Sequence, residues 1–425
     1  MNLSSLRWLS ARARRGATLG GLLALSLAGT ARAQTYQTLS EGLTFGRFNV
    51  FPSVSLEYTQ DSNIFFTSAE EPGIRPTSAG IAVVRPRLLV DLPLSDNRIR
   101  WVYTPFYRDY LSERFTGSNR LNHVFDMEAR FRAHRAITVG LRDHYLRGTV
   151  SLQEQTGANG LSFGLGGYST HNPQLDIGVN LGARQGFSFI PSYSRSSFSG
   201  ISNSVKYTYT ARKLESRYNY RLSEPATFYG YYAYEGNTQE QTGLEDIRIR
   251  SRSSGFGLTR TVNEAVVTQV SAGYETMDFE GGTGRNFSGP VVEAGANWLV
   301  SEDTRVEFVV VRHPYASVYA DNNYYVDTEG RSRLTFQIGA STYVDVGAVG
   351  QRNVYAPQQG TSRRDRLIRL EIGVGHQFLR TLRGYVGAST ENRRSNKEQM
   401  IGGVDFDPFH VYVTRLLFRL EAGWM

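Results

Sequence analysis

The chain has 425 residues, no cysteine, 43 glycines, 25 tyrosines and a mean hydropathy of −0.36. No disulfide framework can hold it, and no uninterrupted apolar run reaches the roughly 18 residues that a transmembrane helix needs. The formal charge of +8 does not argue for a nucleic-acid partner, because the N-terminal segment carries Arg7, Arg12, Arg14, Arg15 and Arg32 with no acid, and without those five the 47 basic residues fall to 42 against 39 acids.

That N-terminal segment reads as an address. Four arginines are followed by an apolar stretch from Ala17 to Gly29 and then by Ala31-Arg32-Ala33, the small-x-small pattern of a cleavage site. Residues 1–33 are therefore expected to be a signal peptide, 34–46 a short periplasmic arm, and 47–425 one β-barrel domain.

From residue 47 onward the hydrophobic period is two. Phe125, Met127, Ala129 and Phe131 alternate with Asp126, Glu128, Arg130 and Arg132; Ile368, Leu370, Ile372 and Val374 oppose Arg369 and Glu371; Leu416, Phe418 and Leu420 oppose Arg415, Arg419 and Glu421. A strand sorts such charges onto one face, whereas a helix scatters them around its circumference. Strands are expected near 47–60, 79–92, 97–113, 120–134, 136–148, 172–184, 186–199, 203–221, 226–239, 245–261, 265–280, 288–300, 304–319, 324–341, 343–356, 363–378, 381–396 and 408–424. Short turns such as Leu94 to Asn97, Leu222 to Pro225 and Phe378 to Arg380 recur about every 40 residues, alternating with longer polar connections such as Ser62 to Ser78 and Val150 to Asn172. Short turns at one end and long loops at the other predict an antiparallel outer-membrane barrel of about 18 strands, with 16 as the alternative count. A β-propeller repeats at a similar period but needs four short strands in each.

If the apolar face meets lipid, the charged face lines the lumen. The expected pore-lining set is Arg98, Arg100, Arg108, Glu128, Arg130, Arg142, Arg248, Arg250, Arg252, Arg363, Arg369, Glu371, Arg383, Glu391, Arg415, Arg419 and Glu421, with Asp126, Arg132, His144 and Arg393 on the same faces. Such a wall either braces itself with cross-strand ion pairs or selects anionic and hydroxyl-rich solutes through the guanidinium fork; the two roles are compatible. No catalytic constellation stands out. Asp143 and His144 are adjacent in a strand and point to opposite sides, and there is no G-x-S-x-G element. No spacing matches a zinc site, so neither an enzyme nor a cofactor is expected. Asp61-Ser62-Asn63 reads as a loop opener and Gly281-Gly282-Thr283-Gly284 as a loop tip. The connection from Val150 to Asn172 could fold inward as a constriction.

The segment Tyr58-Thr59-Gln60-Asp61-Ser62-Asn63-Ile64-Phe65, followed by Val83-Val84-Arg85-Pro86-Arg87-Leu88 and by Trp101-Val102-Tyr103 with Tyr107 and Tyr110, resembles the β-barrel porin family that accompanies exopolysaccharide synthesis loci of Gram-negative bacteria. The spacing from Tyr58 to Asn63 is slightly longer than in that family, and the sharp match covers the first two hairpins. The resemblance implies a non-enzymatic export channel for polysaccharide polymerised in the periplasm. Its implied partners are outer-membrane lipid, the polysaccharide, a periplasmic polysaccharide-export protein and the barrel assembly machinery. A general diffusion or sugar-uptake porin, and a plugged structural or adhesive barrel, are the alternatives. The last strand departs from the usual aromatic ending, since Met425 follows Trp424.

Overall fold

The computed structural model describes residues 42–424 apart from 65–67, 69, 71–74, 112–119, 151–165, 200–205, 242–244, 264, 281–285, 318–323, 357–361, 397–398, 402–403 and 408–409. The expected signal peptide, most of the arm, the Gly281–Gly284 tip and the centre of the longest loop lie outside the described residues.

The strands are β1 (Leu43–Phe45), β2 (Phe48–Asp61), β3 (Ala79–Leu94), β4 (Asn97–Tyr110), β5 (Arg120–His134), β6 (Ile137–Val150), β7 (Gly166–His171), β8 (Gln174–Asn180), β9 (Gln185–Ser199), β10 (Lys206–Ser223) and β11 (Ala226–Gln241). They continue with β12 (Ile247–Asn263), β13 (Val266–Glu280), β14 (Phe287–Ser301), β15 (Thr304–Ala316), β16 (Tyr324–Ile338), β17 (Thr342–Tyr355), β18 (Arg364–Leu379), β19 (Leu382–Ser395), β20 (Gln399–Ile401), β21 (Val404–Phe406) and β22 (Val411–Gly423). Successive wall strands pair antiparallel, and β2 pairs β22 from Ser53↔Gly423 to Asp61↔Arg415, which closes the sheet into an 18-strand barrel. Closure leaves no row of unpaired backbone groups, the condition for crossing hydrocarbon with strands.

Three details differ from the expectation. Part of the N-terminal arm is ordered as β1, which folds back on β2 through a turn with Gly46 at φ 62°. The sixth wall strand begins at Gly166 rather than 172 and is interrupted at Pro173, which has no N–H to give to the ladder. Pairing resumes on both sides of the break: the Asn172 amide donates to the His144 carbonyl at 2.8 Å and the Tyr193 amide to the Pro173 carbonyl at 3.0 Å. The last loop also carries its own small hairpin, β20 against β21.

The short turns gather at one end. Ser95 takes a φ of 52° in the two-residue turn between β3 and β4, a left-handed value that such hairpins require. Register shifts at Arg132/His134, Arg221/Ser223, Thr261/Asn263, Leu299/Ser301 and Gln377/Leu379 place a bulge just before five of these turns. Bulges of this kind increase local twist and bend a strand at a barrel rim.

Candidate functional site on the inner wall

Register decides which face is which. Leu334, Val346, Ile372, Ala388 and Leu416 form one row across five strands, and the large members of that row are exposed, as are Ile368 at 61% and Phe256 at 64%. Side chains of this kind are interior residues in a water-soluble protein; here they form the outside. Exposed Tyr58, Tyr107, Tyr234, Tyr274 and Tyr412 border the apolar zone on the loop side, and Phe228, Trp298, Phe336 and Phe378 border it on the turn side, as aromatic girdles do at the two membrane interfaces. On β18 the zone from Ile368 to Phe378 covers roughly 33 Å of strand, or about 24 Å upright at a tilt near 45°, against the ~25 Å apolar band of outer-membrane barrels. The chain is an outer-membrane β-barrel.

The opposite face holds most of the charge, and it is paired. Around the closure, Asp61 on β2 accepts from Arg415 Nε of β22 at 3.0 Å; Arg415 Nη1 also reaches Glu391 of β19 at 3.5 Å, and Glu391 accepts from Arg369 Nη2 of β18 at 2.9 Å. Four strands are thereby tied by one alternating chain of charges. Glu57 accepts from Arg419 at 3.0 Å in the next layer, and Asp365 accepts both guanidinium arms of Arg363, at 2.8 and 2.6 Å, plus Arg393 at 3.0 Å. Asp61 and Asn63 are fully buried; the Asp61 carboxylate also receives the Asn63 amide at 2.8 Å, and the Asn63 side chain donates to the Tyr412 carbonyl at 3.5 Å. The loop-opening role expected for Asp61 holds, and a second role, fastening the seam, is added to it.

On the remainder of the inner wall, Arg98 holds Asp91 at 2.5 and 2.8 Å, Glu128 sits directly between Arg100 and Arg142, and Arg130 lies opposite Arg98. Arg108 lies over the Phe106 ring, and Arg383 opposes Glu421. Glu371 pairs in register with Gly347 and shares the face of Arg369. Asp126 takes His144 Nδ1 at 2.6 Å, so His144 is engaged across strands as β geometry requires, while Asp143 meets His171 at 3.0 Å on the outside. A further cluster absent from the sequence expectation has Glu215 bound by Lys213 at 3.1 Å and by Arg217 on β10. Its signal was available, because 213, 215 and 217 share one parity. Among the described residues no three acidic, histidine or cysteine side chains gather as a metal site.

Tyrosine rings lie flat against the same wall, seated on glycines of neighbouring strands. A Cβ added at Gly257 would fall 2.1 Å from Tyr229 Cζ, and one at Gly373 would fall 2.0 Å from Tyr385 Oη. Tyr343 and Tyr385 stack at 6.4 Å between centroids, Arg217 lies 5.2 Å above Tyr229 and Arg419 5.9 Å above Tyr385. The wall thus alternates aromatic faces with guanidinium forks and carboxylates.

Arg248, Arg250 and Arg252 correct the sequence expectation. They share a face with Phe256 and Leu258, and all five are exposed, whereas Ile249, Ser251 and Ser253 between them are buried on the inner side. Arg250 meets Glu280 of β13 at 2.9 Å on the outside. The reason is height. Only about 9–11 residues of a tilted strand stand in hydrocarbon, and above that zone the outer face meets headgroups while the inner face packs Ile249 against Met277 and Phe287. An arginine on the lipid face costs about 2–4 kcal/mol at the midplane but only about 0–1 near the interface, so arginines at this level can point out. The connection expected from Val150 to Asn172 shrinks to 151–165, because Gly166–His171 belongs to the wall; its proposed inward fold lies outside the described residues.

No family model matches the chain, and no curated protein matches it. Among solved structures it is similar to the FrpB iron transporter of Neisseria meningitidis, with a TM-score of 0.47, 10% identity, 90% of this chain and 82% of that one covered. It is also similar to the siderophore receptor PirA of Pseudomonas aeruginosa, with a TM-score of 0.44, 8% identity, and 92% and 82% covered. Likenesses at this level carry nothing about cargo, and the membrane assignment rests on the belt and the closure described above.

Proposed function

We propose that this barrel is a non-enzymatic channel for export of exopolysaccharide across the outer membrane. The observation that carries the reading is the inner wall, where the part-exposed, stacked rings of Tyr343 and Tyr385, seated on Gly375 and Gly373, stand among arginine forks and carboxylates. Sugar rings present an apolar face that aromatic rings can cover and a rim of hydroxyls that guanidinium and carboxylate groups can hydrogen-bond. A sliding polymer needs many such weak sites rather than one tight one, since conduction requires binding weak enough to leave. Barrels of 16–18 strands are wide enough for an aqueous channel. The resemblance of the first two hairpins to the porins of exopolysaccharide loci supplies the cargo class. In this reading a periplasmic polysaccharide-export protein delivers the polymer, and the barrel assembly machinery inserts the wall.

The test is deletion of the gene and complementation. Loss of surface polysaccharide with polymer accumulating in the periplasm is expected, restored by the wild-type chain and only partly by a Tyr343→Ala, Tyr385→Ala variant. Surface polysaccharide unchanged by the deletion would rule the proposal out.

A further inference from the structure

A row of arginines runs around the outside of the barrel just above the apolar zone. Register places Arg312, Thr328, Arg352, Arg366 and Arg394 side by side on β15 to β19. Arg352, Arg366 and Arg394 are exposed and directly opposed on three adjacent strands. Strands lie about 4.8 Å apart, so three positive charges stand within roughly 10 Å of one another. Like charges directly opposed across strands repel, and among the described residues no carboxylate forms an ion pair with any of the three, Glu70 acting on Arg394 only at long range. On β12, by contrast, Arg250 has Glu280.

The height of the row is set by its neighbours. Arg366 is two residues above Ile368 on β18, and Ile372 near the middle of the zone lies six residues below it, roughly 14 Å upright for a strand tilted near 45°. That is the edge of the hydrocarbon on the loop side, where the outer leaflet carries its headgroups. A second observation lies directly beneath. Gly330 and Gly350 are register partners on the outer face with open space where a Cβ would stand, and Ser332 and Ala348 are the next pair down. Flanked by Ile368 and Leu370, which are exposed and project outward, they form a shallow upright slot below the arginines, of a shape to take an acyl chain.

We propose that Arg352, Arg366 and Arg394, with Arg312 at one end of the row, bind the phosphate groups of the phosphorylated glycolipid of the outer leaflet, with an acyl chain lying over Gly330 and Gly350. Phosphate oxygens accept charge-assisted hydrogen bonds from several guanidinium groups at once and remove the repulsion within the row. The site fastens the barrel to its own leaflet, and it is independent of what the lumen conducts.

The experiment uses the full-length barrel in detergent, offered either diphosphorylated lipid A or the same glycolipid with its phosphates removed, and reads lipid retained per barrel by native mass spectrometry. Wild type is expected to retain the diphosphorylated form about tenfold better than an R352Q/R366Q/R394Q variant, with the R352K/R366K/R394K variant retaining most of it. A G350L variant, which fills the slot and keeps every charge, should also bind more weakly. Equal retention by wild type and the glutamine variant, or equal retention of the dephosphorylated lipid by wild type, overturns the proposal. Should the triple variant fail to give a heat-modifiable folded barrel, R366Q alone is read in the same assay, where a severalfold drop is expected and no drop overturns it.

Discussion

At the residue scale the closure of the wall converges on Arg415. It joins Asp61, which is fully buried, to Glu391, which is 3% exposed, and removing it leaves two carboxylates without their shared guanidinium. Because breaking a buried pair strands its partner, Arg415→Gln is expected to lower stability by about 3 kcal/mol, with Arg415→Lys losing less; urea-driven unfolding in lipid vesicles measures both. The glycine seats make a second residue-level prediction. Gly257→Ala puts a methyl 2.1 Å from Tyr229 Cζ and must drive the ring off the wall, at a cost of about 1–3 kcal/mol. Combining it with Tyr229→Ala should relieve most of that cost, and a double-mutant cycle that finds additive losses would show that the ring does not depend on the seat.

Among the elements, the loop after β2 and the loop before β22 are latched across the barrel closure. Glu70 accepts the Asp407 amide at 3.1 Å and meets His410 Nδ1 at 2.5 Å, while the Ser68 hydroxyl donates to the Asp407 carbonyl at 2.6 Å. The Asp407 amide, and after it His410, hold the Glu70 carboxyl below the usual carboxylate range. A carboxyl depressed in the folded state contributes fully above its unfolded value and is lost as pH falls through its folded value. The protection of the Asp407 amide, its exchange rate measured against that of an unstructured peptide at the same pH, should therefore fall on acidification through and below the ordinary glutamate range. In Glu70→Gln the protection should lose that pH dependence. The broken sixth strand belongs to this scale too. Pro173 was plain in the sequence, but its effect on pairing depends on β6 and β9 lying on either side, which no local pattern states.

For the whole molecule, the decisive property is an apolar belt of limited height. Ile372→Arg lies near its middle and is expected to cost about 2–4 kcal/mol, whereas Ile368→Arg, beside the headgroup level, should cost about 0–1; folding into vesicles of defined thickness separates the two. Equal costs at the two depths would contradict the placement of the belt. Its limited height also explains why the inner and outer rules exchange along single strands. Below the rim Leu258 and Phe256 face out; above it Ile249 faces in and Arg250 faces out. On β22 Leu416 and Phe418 face out while Val411 and Val413, at the loop end, are buried inside.

The strands, their turns and the barrel closure were legible from the two-residue period and from the alternation of short and long connections, because hydrocarbon imposes one rule on every segment that crosses it. Most of the inner-wall charges followed from the same rule, Arg369, Glu391, Arg415 and Arg419 among them. Arg248, Arg250 and Arg252 did not, since alternating Ile and Arg has one meaning in lipid and the opposite meaning above it, and only the register of β12 against β11 and β13 sets the height. The seating of Tyr229 on Gly257, the chain from Asp61 to Arg369 and the row from Arg312 to Arg394 likewise join residues far apart in sequence. They exist because closing the sheet brings particular strands side by side at a particular stagger, and that stagger is a property of the folded cylinder.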